Sequence, residues 1–191
     1  KAIGNLIKQD SYTEDEYEKQ HRTLYIVSQK LDNVNKEQLN LVLEKEHTKY
    51  GGCSFKINSC NIKLRIAKIT PTKNGQFVTL WKRNLHSLKM EPYNIKDNYD
   101  FYIIICRKKN KLGQFIFPKK ILYQYGILSS DENDIKNGKR AFRVYPSWDE
   151  KLITTDEHKW QLDYFIEIIT DNNNNNINKK YIKKIFNKCY N

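Results

Sequence analysis

Acidic residues are missing from much of the middle of the chain. No Asp or Glu occurs between Glu46 and Glu91, and none occurs in residues 101–130 or 135–148. Residues 51–150 carry 19 basic and 8 acidic residues, which accounts for most of the net charge of +12. A surface charged only for solubility would mix the two signs. The asymmetry therefore indicates a polyanionic partner, and nucleic acid is the first candidate.

Other absences exclude several classes of protein. The four cysteines form no C-x-x-C pair, and His47, Cys53 and Cys60 match no familiar zinc-ligand spacing. We therefore expect neither a disulfide nor a metal site. No apolar run approaches the roughly eighteen residues of a membrane span, and the first ten residues do not resemble a signal peptide. These absences favour a cytoplasmic protein with no membrane partner.

The N-terminal part, residues 1–48, carries helical patterns. Thr13 followed by Glu16 forms a capping box, and the apolar spacing after it predicts an amphipathic helix over residues 13–31. A shorter helix is predicted over residues 36–46. The acidic first turn of the first helix complements the helix dipole, so it is interpreted as capping rather than as a metal site.

A β-rich core is predicted over residues 50–150. Apolar and polar residues alternate in residues 55–66 around a turn at 58–61, which is typical of a hairpin. A third strand, residues 76–82, follows the loop from Thr70 to Gly75, and we expect the three strands to form a meander. The Asn74-Gly75 step suits the positive φ of a tight turn. Further predicted elements are a central strand at 101–107, strands at 114–117 and 140–145, and a short helix at 118–125.

The C-terminal part is predicted to contain one core helix followed by a tail. Thr155 or Asp156 caps a helix over about residues 156–169. Its apolar side presents Trp160, Tyr164, Phe165 and Ile168. Residues 172–176 are a run of asparagines, so residues 171–191 are interpreted as a linker and a basic tail.

Three segments together resemble the MepB family. They are the run from Arg65 to Arg83, the sequence Gly113-Gln-Phe115, and the run from Lys139 to Asp149. The resemblance covers about residues 50–165 and implies a single α+β domain over residues 1–170. The domain it implies has a strongly curved, mostly antiparallel, pseudobarrel-like sheet flanked by N-terminal and C-terminal helices. Similar pseudobarrels bind DNA in plant transcription factors and in type IIE restriction-enzyme effector domains.

We expect a non-enzymatic nucleic-acid-binding protein whose partner is DNA rather than RNA. The predicted contacts are a basic sheet face and the loop from Thr70 to Gly75, because hydroxyls, lysines and backbone N–H groups are common phosphate partners. The candidate residues are Arg65, Lys68, Thr70, Thr72, Lys73, Gln76, Trp81, Lys82, Arg83, Lys139, Arg140 and Arg143.

Several of these residues also suit a purely structural role. The loop is compatible with an ordinary hairpin turn. Trp81 is suited to anchoring the core as well as to stacking on bases. Gln76 can bond backbone instead of a base edge. Arg143 can pair with a carboxylate, Asp149 or Glu167, as well as with phosphate.

Two other classes of function stay open. One is a metal-dependent nuclease, and the other is a regulatory protein-interaction module that meets an acidic partner. The chain has no P-loop, G-x-G-x-x-G, H-E-x-x-H or G-x-S-x-G motif, and an acid-free centre is poorly suited to binding Mg²⁺ through carboxylates. A binding protein without a cofactor is therefore favoured over an enzyme.

Overall fold

The computed structural model describes residues 42–44, 52–57, 59–130, 138–152 and 156–167. The predicted helix over residues 13–31, most of the one over residues 36–46, and the tail at 171–191 lie outside these ranges. Within the described ranges, no helix is both long and apolar enough to cross a membrane.

The described residues form a mostly β structure with a few short helices. The strands are β1 (Val42–Leu43), β2 (Cys53–Ile57), β3 (Cys60–Ile66), β4 (Lys68–Thr70), β5 (Lys73–Thr79), β6 (Trp81–Arg83), β7 (Met90–Pro92), β8 (Phe101–Lys108), β9 (Lys111–Pro118), β10 (Ala141–Val144) and β11 (Phe165–Glu167). The helices are α1 (Lys119–Gln124), α2 (Asp156–Lys159), and two 3₁₀ helices at Ser147–Leu152 and Trp160–Tyr164.

The strands belong to three sheets of six, three and two strands. The six-stranded sheet has the order β1-β2-β3-β8-β9-β11, the three-stranded sheet has the order β10-β5-β4, and β6 pairs with β7. Pairing is antiparallel throughout these sheets except between β3 and β8, which are parallel. The predicted β2–β3 hairpin and the central position of β8 are confirmed. The predicted meander is wrong, because β3 pairs with β8 and β5 belongs to a different sheet.

The core lies between the six-stranded sheet and the β10-β5-β4 sheet. Val78 and Val144 from the smaller sheet are fully buried, as is Leu80 directly after β5, and the three belong to one cluster with Ile104 and Phe115 from the larger sheet. All of the first six residues of β8 are buried, so both faces of this strand are covered. A strand covered on both faces needs a continuous apolar sequence, and Phe-Tyr-Ile-Ile-Ile-Cys supplies it.

The chain after residue 155 departs from the predicted single helix. After α2 and the 3₁₀ turn, Phe165 enters β11 and pairs with Phe115 of β9. A Cβ atom at Gly113 would lie 2.4 Å from the Phe165 ring, so the missing side chain makes room for that ring. This contact with a residue distant in sequence overrides the local helical pattern.

A second helix prediction also fails, at Val42 and Leu43. Both residues lie in β1 and pair with Ser54 and Cys53 of β2. The predicted helix of residues 36–46 therefore does not include them.

The cysteines differ in part from the expectation. Cys53 and Cys106 are free and buried, and burial raises the pKa of the Cys53 thiol to about 12, which makes it unreactive at neutral pH. Cys60 is disulfide-bonded, so the expectation of no disulfide is wrong.

Three charged residues form a buried ionic cluster beside β2 and β3. Glu44 accepts a hydrogen bond from Lys63 and another, 2.7 Å long, from Nη2 of Arg65. The Lys63 and Arg65 side chains are 4% and 0% exposed, so this cluster holds two cations inside the protein. Arg65 also donates to the Leu64 carbonyl and to the Tyr93 hydroxyl. Glu44 is the carboxylate that balances both cations.

Replacing Glu44 by Gln is expected to lower the free energy of unfolding by about 3 kcal/mol, because two buried cations lose their carboxylate. Glu91→Gln is the matched control. Glu91 lies 3.7 Å from Lys82 in a partly exposed pair, and its loss is expected to change stability by less than about 1 kcal/mol. Urea denaturation at neutral pH measures both variants. Equal losses in the two variants would contradict the role given to the cluster.

The stability difference between the wild type and Glu44→Gln should also depend on pH. Burial alone would raise the pKa of Glu44, but the charges of Arg65 and Lys63 hold that pKa below its ordinary value of 4.5. The ionised carboxylate therefore stabilises the fold fully above pH 4.5, and this contribution is lost as the pH falls through the lowered pKa. The stability difference between the wild type and Glu44→Gln should shrink as the pH falls below 4.5.

Candidate nucleic-acid interface

The loop from Thr70 to Gly75 joins β4 to β5 and contains an irregularity. Thr70 pairs with Lys73, so Pro71 and Thr72 form the turn itself, while the register shifts between Ile69 and Thr70. The predicted positive φ is confirmed at Gly75, whose φ is 72°. Gly75 nevertheless lies inside β5 and not at the turn. The two extra residues there, Asn74 and Gly75, form a bulge that bends the strand and leaves its carbonyl groups without ladder partners.

Arg143 of β10 satisfies the carbonyl groups of this bulge. Its Nη1 atom lies within hydrogen-bonding distance of the carbonyl oxygens of Lys73 (3.4 Å), Asn74 (3.0 Å) and Gly75 (3.1 Å). Its Nη2 atom donates to the Thr70 hydroxyl at 2.7 Å. Neither expected carboxylate partner is used. Arg143 is therefore a positioning residue for the 70–75 loop.

The outer face of the β10-β5-β4 sheet carries a row of three residues. Lys68 pairs with Phe77, and Phe77 pairs with Arg143, so the three side chains lie on the same side of the sheet. The Arg143 guanidinium is 5.8 Å from the centre of the Phe77 ring. Gln76 and Val78, whose side chains point to the opposite side, are buried against the core. The sheet therefore has one buried face and one outward face that includes cations.

The 70–75 loop presents polar groups to solvent at one end of this face. Pro71, Thr72, Lys73 and Asn74 are exposed, and Lys68 is exposed on the neighbouring strand. The strands β4, β5 and β10 contain no acidic residue. We call the set Lys68, Thr70, Thr72, Lys73 and Arg143 the loop cluster. It gathers five of the predicted site residues in one place.

Two predicted site residues are buried away from the loop cluster. Arg65 has no exposed surface and is neutralised by Glu44. Gln76 is 1% exposed and donates to the Arg107 carbonyl at 3.2 Å, so it bonds backbone. In this structure neither residue can reach a ligand at the surface.

The remaining candidates lie at the other end of the small sheet. Lys139 and Arg140 are exposed just before β10, where the Leu80 N–H donates to the Arg140 carbonyl. Arg83 lies 5.8 Å from the Trp81 ring centre, and Trp81 is half-buried.

Lys82 is balanced by acids. It donates to Asp97, and Glu91 lies 3.7 Å from its Nζ atom. Burial alone would lower the pKa of Lys82, but these two carboxylates raise it. Its charge is therefore partly neutralised within the protein.

Sequence reasoning missed a second group of cations near the loop cluster. The β8–β9 hairpin turns at Lys109, whose φ is 54°, and Asn110, and both Lys109 and Lys111 are exposed. The hydrogen bond from Gln76 to the Arg107 carbonyl places this end of β8 beside β5. The signal was present in the acid-free run of residues 101–130, but only the fold shows where that run lies.

The acidic residues that the structure describes near β8 lie apart from one another. Among the residues that the structure describes, no three His, Cys, Asp or Glu side chains come together in a way that could hold a metal ion. Asp149 is 5% exposed and pairs with Lys108 at the end of β8. Asp100 precedes the start of β8 and accepts a hydrogen bond from the Asn61 N–H. The length of β8, about 3.3 Å per residue, separates these two acids.

These features define a class of protein: a small, basic, mostly β domain whose exposed cations lie on a three-stranded sheet and an adjoining hairpin. The sequence model of the MepB-like family matches residues 44–167, and the chain belongs to that family. A solved structure described as "Crystal Structure of MepB" is 33% identical, covering 77% of this chain and 97% of that chain with a TM-score of 0.66. No curated protein matches the chain.

Arg143→Lys is expected to loosen the 70–75 loop while keeping its charge, because an ammonium group cannot reproduce the planar fork of donors. Losing these hydrogen bonds should lower the free energy of local opening of the loop by about 1.5 kcal/mol. Amide exchange in the loop should therefore become roughly tenfold faster. Hydrogen exchange with mass spectrometry measures this. Arg140→Lys, at an exposed position, is the control and should leave exchange unchanged. An unchanged loop in Arg143→Lys would show that other contacts hold its conformation.

Proposed function

We propose that this protein is a non-enzymatic nucleic-acid-binding protein that binds DNA in preference to RNA. The loop cluster is the proposed contact surface. The observation that carries the proposal is the arrangement around Arg143, which holds an exposed loop bearing Thr72 and Lys73 beside Lys68 on a sheet without acids. An ordinary hairpin turn does not need an arginine from another strand to hold its carbonyl groups. The contacts of Arg143 therefore support a functional role for this polar, cationic loop.

The chemistry of the loop cluster suits phosphate groups. Lys68 and Lys73 supply cations, Thr72 supplies a hydroxyl, and the turn supplies backbone N–H groups. Lys109 and Lys111 on the neighbouring β8–β9 hairpin extend the same positive charge. Such contacts position a protein on the nucleic-acid backbone without reading its sequence, so we propose binding with little sequence preference through this surface.

The proposed preference for DNA rests on the fold. The family resemblance implies a strongly curved, pseudobarrel-like sheet of a kind that binds DNA in other proteins. The bulge at Asn74 and Gly75 supports local bending, because an extra residue in one strand increases its twist. We propose that the outer face of the β10-β5-β4 sheet curves around a duplex.

A protein partner with an acidic surface is the competing explanation for the same cations. It would use Lys68 and Lys73 equally well, and its binding would also weaken with salt. Competition separates the two: excess duplex DNA should displace a labelled duplex from the protein, whereas an excess of a polyglutamate peptide of equal charge should displace it far less. Equal displacement would favour the acidic protein partner.

The first prediction of the proposal is salt-dependent binding. Affinity for duplex DNA, measured by fluorescence anisotropy, should fall steeply with salt because each phosphate contact releases counterions. Lys68→Ala and Lys73→Ala should each lower the slope of log K against log salt by about one. Lys120→Ala is the charge-matched control, since Lys120 is exposed on α1, away from the loop cluster. Equal effects of all three variants would place the contact elsewhere.

The second prediction is that the protein does not hydrolyse nucleic acid. A metal-dependent nuclease needs carboxylates that converge on Mg²⁺, whereas Asp100 and Asp149 lie near opposite ends of β8. Plasmid and single-stranded substrates incubated with Mg²⁺ or Mn²⁺ should stay intact. Cleavage that disappears in Asp100→Asn, Asp149→Asn or Glu167→Gln, with the fold retained, would make the protein an enzyme and contradict the proposal.

A further inference from the structure

The turn of the β6–β7 hairpin exposes large apolar side chains. Leu85 is 89% exposed and Leu88 is 64% exposed, and Met90 at the start of β7 is 47% exposed. A single exposed leucine is ordinary on a protein surface, but several on one short hairpin mark a contact site. We call Leu85, Leu88 and Met90 the apolar tip.

Hydrogen bonds fix the shape of this turn. The Asn84 side-chain oxygen accepts hydrogen bonds from the N–H groups of His86 and Ser87, both at 2.9 Å. The Leu88 N–H donates to the Asn84 carbonyl at 2.9 Å, and Arg83 donates to the Leu88 carbonyl at 2.6 Å. Leu88 adopts a φ of 58°, a conformation that a bulky residue rarely takes. The surrounding hydrogen bonds therefore hold Leu88 in a strained backbone conformation. Strain of this kind is typical of functional sites, so it favours a turn that makes a specific contact.

The charges around the apolar tip select an anionic partner. Arg83 and Lys89 flank the turn, and His86 lies within it. No acidic residue occurs from His47 to Met90, so the first acid along the hairpin is Glu91. The partner must therefore combine negative charge with an apolar interior that a leucine can enter. Duplex DNA has both, in its phosphates and its stacked bases.

We propose that the β6–β7 hairpin is a DNA wedge: Leu85 and Leu88 insert between base pairs from the minor groove, while Arg83 and Lys89 contact the flanking phosphates. This inference rests on the proposed function and adds a mode of binding to it. Apolar side chains inserted at a base step unstack it and bend the duplex. The loop cluster would supply affinity through contacts with the DNA phosphates, and the apolar tip would bend the duplex.

An anionic membrane surface is the alternative partner for a basic, apolar hairpin. Segments that insert at membrane interfaces are rich in Trp and Tyr, which anchor at the headgroup level. Residues 84–90 contain no aromatic side chain other than His86. The tip is also only one narrow turn wide, which suits a base step better than a lipid interface. Duplex DNA is therefore the partner we favour.

The experiment measures bending separately from binding. A duplex of about 30 base pairs carries a donor and an acceptor dye at its ends, and a second duplex carries 2-aminopurine to report unstacking. The protein is the full chain, compared with the double variant Leu85→Ala/Leu88→Ala. Val42→Ala is the control, because Val42 is 59% exposed on β1 at the far edge of the six-stranded sheet.

The wild type and Val42→Ala should bend the duplex by roughly 20–90°, the range that such wedges produce, and should raise 2-aminopurine fluorescence. The double variant should still bind in a salt-dependent way but with both signals lost. Binding by the wild type without bending, or undiminished bending by the double variant, would overturn the wedge and leave the proposed function standing. No duplex binding by the wild type would overturn both. In that case, binding to phosphatidylserine vesicles that needs the two leucines would identify the membrane as the partner.

Discussion

The parallel pairing of β3 with β8 determines where the basic residues go. Two parallel neighbours need a crossover, because the chain must return from the end of β3 to the level at which β8 begins. Residues 67–100 make that crossover, and β4 to β7 lie within it. Within it, β4 and β5 do not join the central sheet; they pair with β10 and form a second sheet over the core. The crossover contains much of the acid-free run of the sequence, so its cations lie on this second sheet and on the β6–β7 hairpin.

Basic residues that are close in sequence have two different roles, depending on whether their side chains are buried or exposed. Lys63 and Arg65 lie inside the protein and are balanced by Glu44, so they support the fold. Arg143 is half-buried and supports the 70–75 loop through carbonyl groups, without a carboxylate partner. Lys73 lies at the surface, and the loop that carries it is held by Arg143. A net charge of +12 alone does not make these distinctions.

Local patterns predicted local structure well. The β2–β3 hairpin, the central strand β8, helix α1 and the positive φ of Gly75 all depend on neighbouring residues, and all are confirmed. Partners distant in sequence were not predictable. The alternation of apolar and polar residues shows that a strand exists but not which strand it pairs with. A meander of β2, β3 and β5 was therefore expected, whereas β3 pairs in parallel with β8. The burial of Arg65 depends on Glu44, 21 residues earlier, and the strand at Phe165 depends on the space left by Gly113.

NMR titration of the full chain with a short DNA duplex shows whether the loop cluster contacts the nucleic-acid backbone. Backbone amide shifts should change first and most strongly at Lys68, Thr72 and Lys73, with little change at Lys120 on α1. Added salt should reverse these changes, because they arise from phosphate contacts. Shifts confined to other surfaces, or a spectrum that duplex DNA leaves unchanged, would show that the loop cluster does not bind DNA.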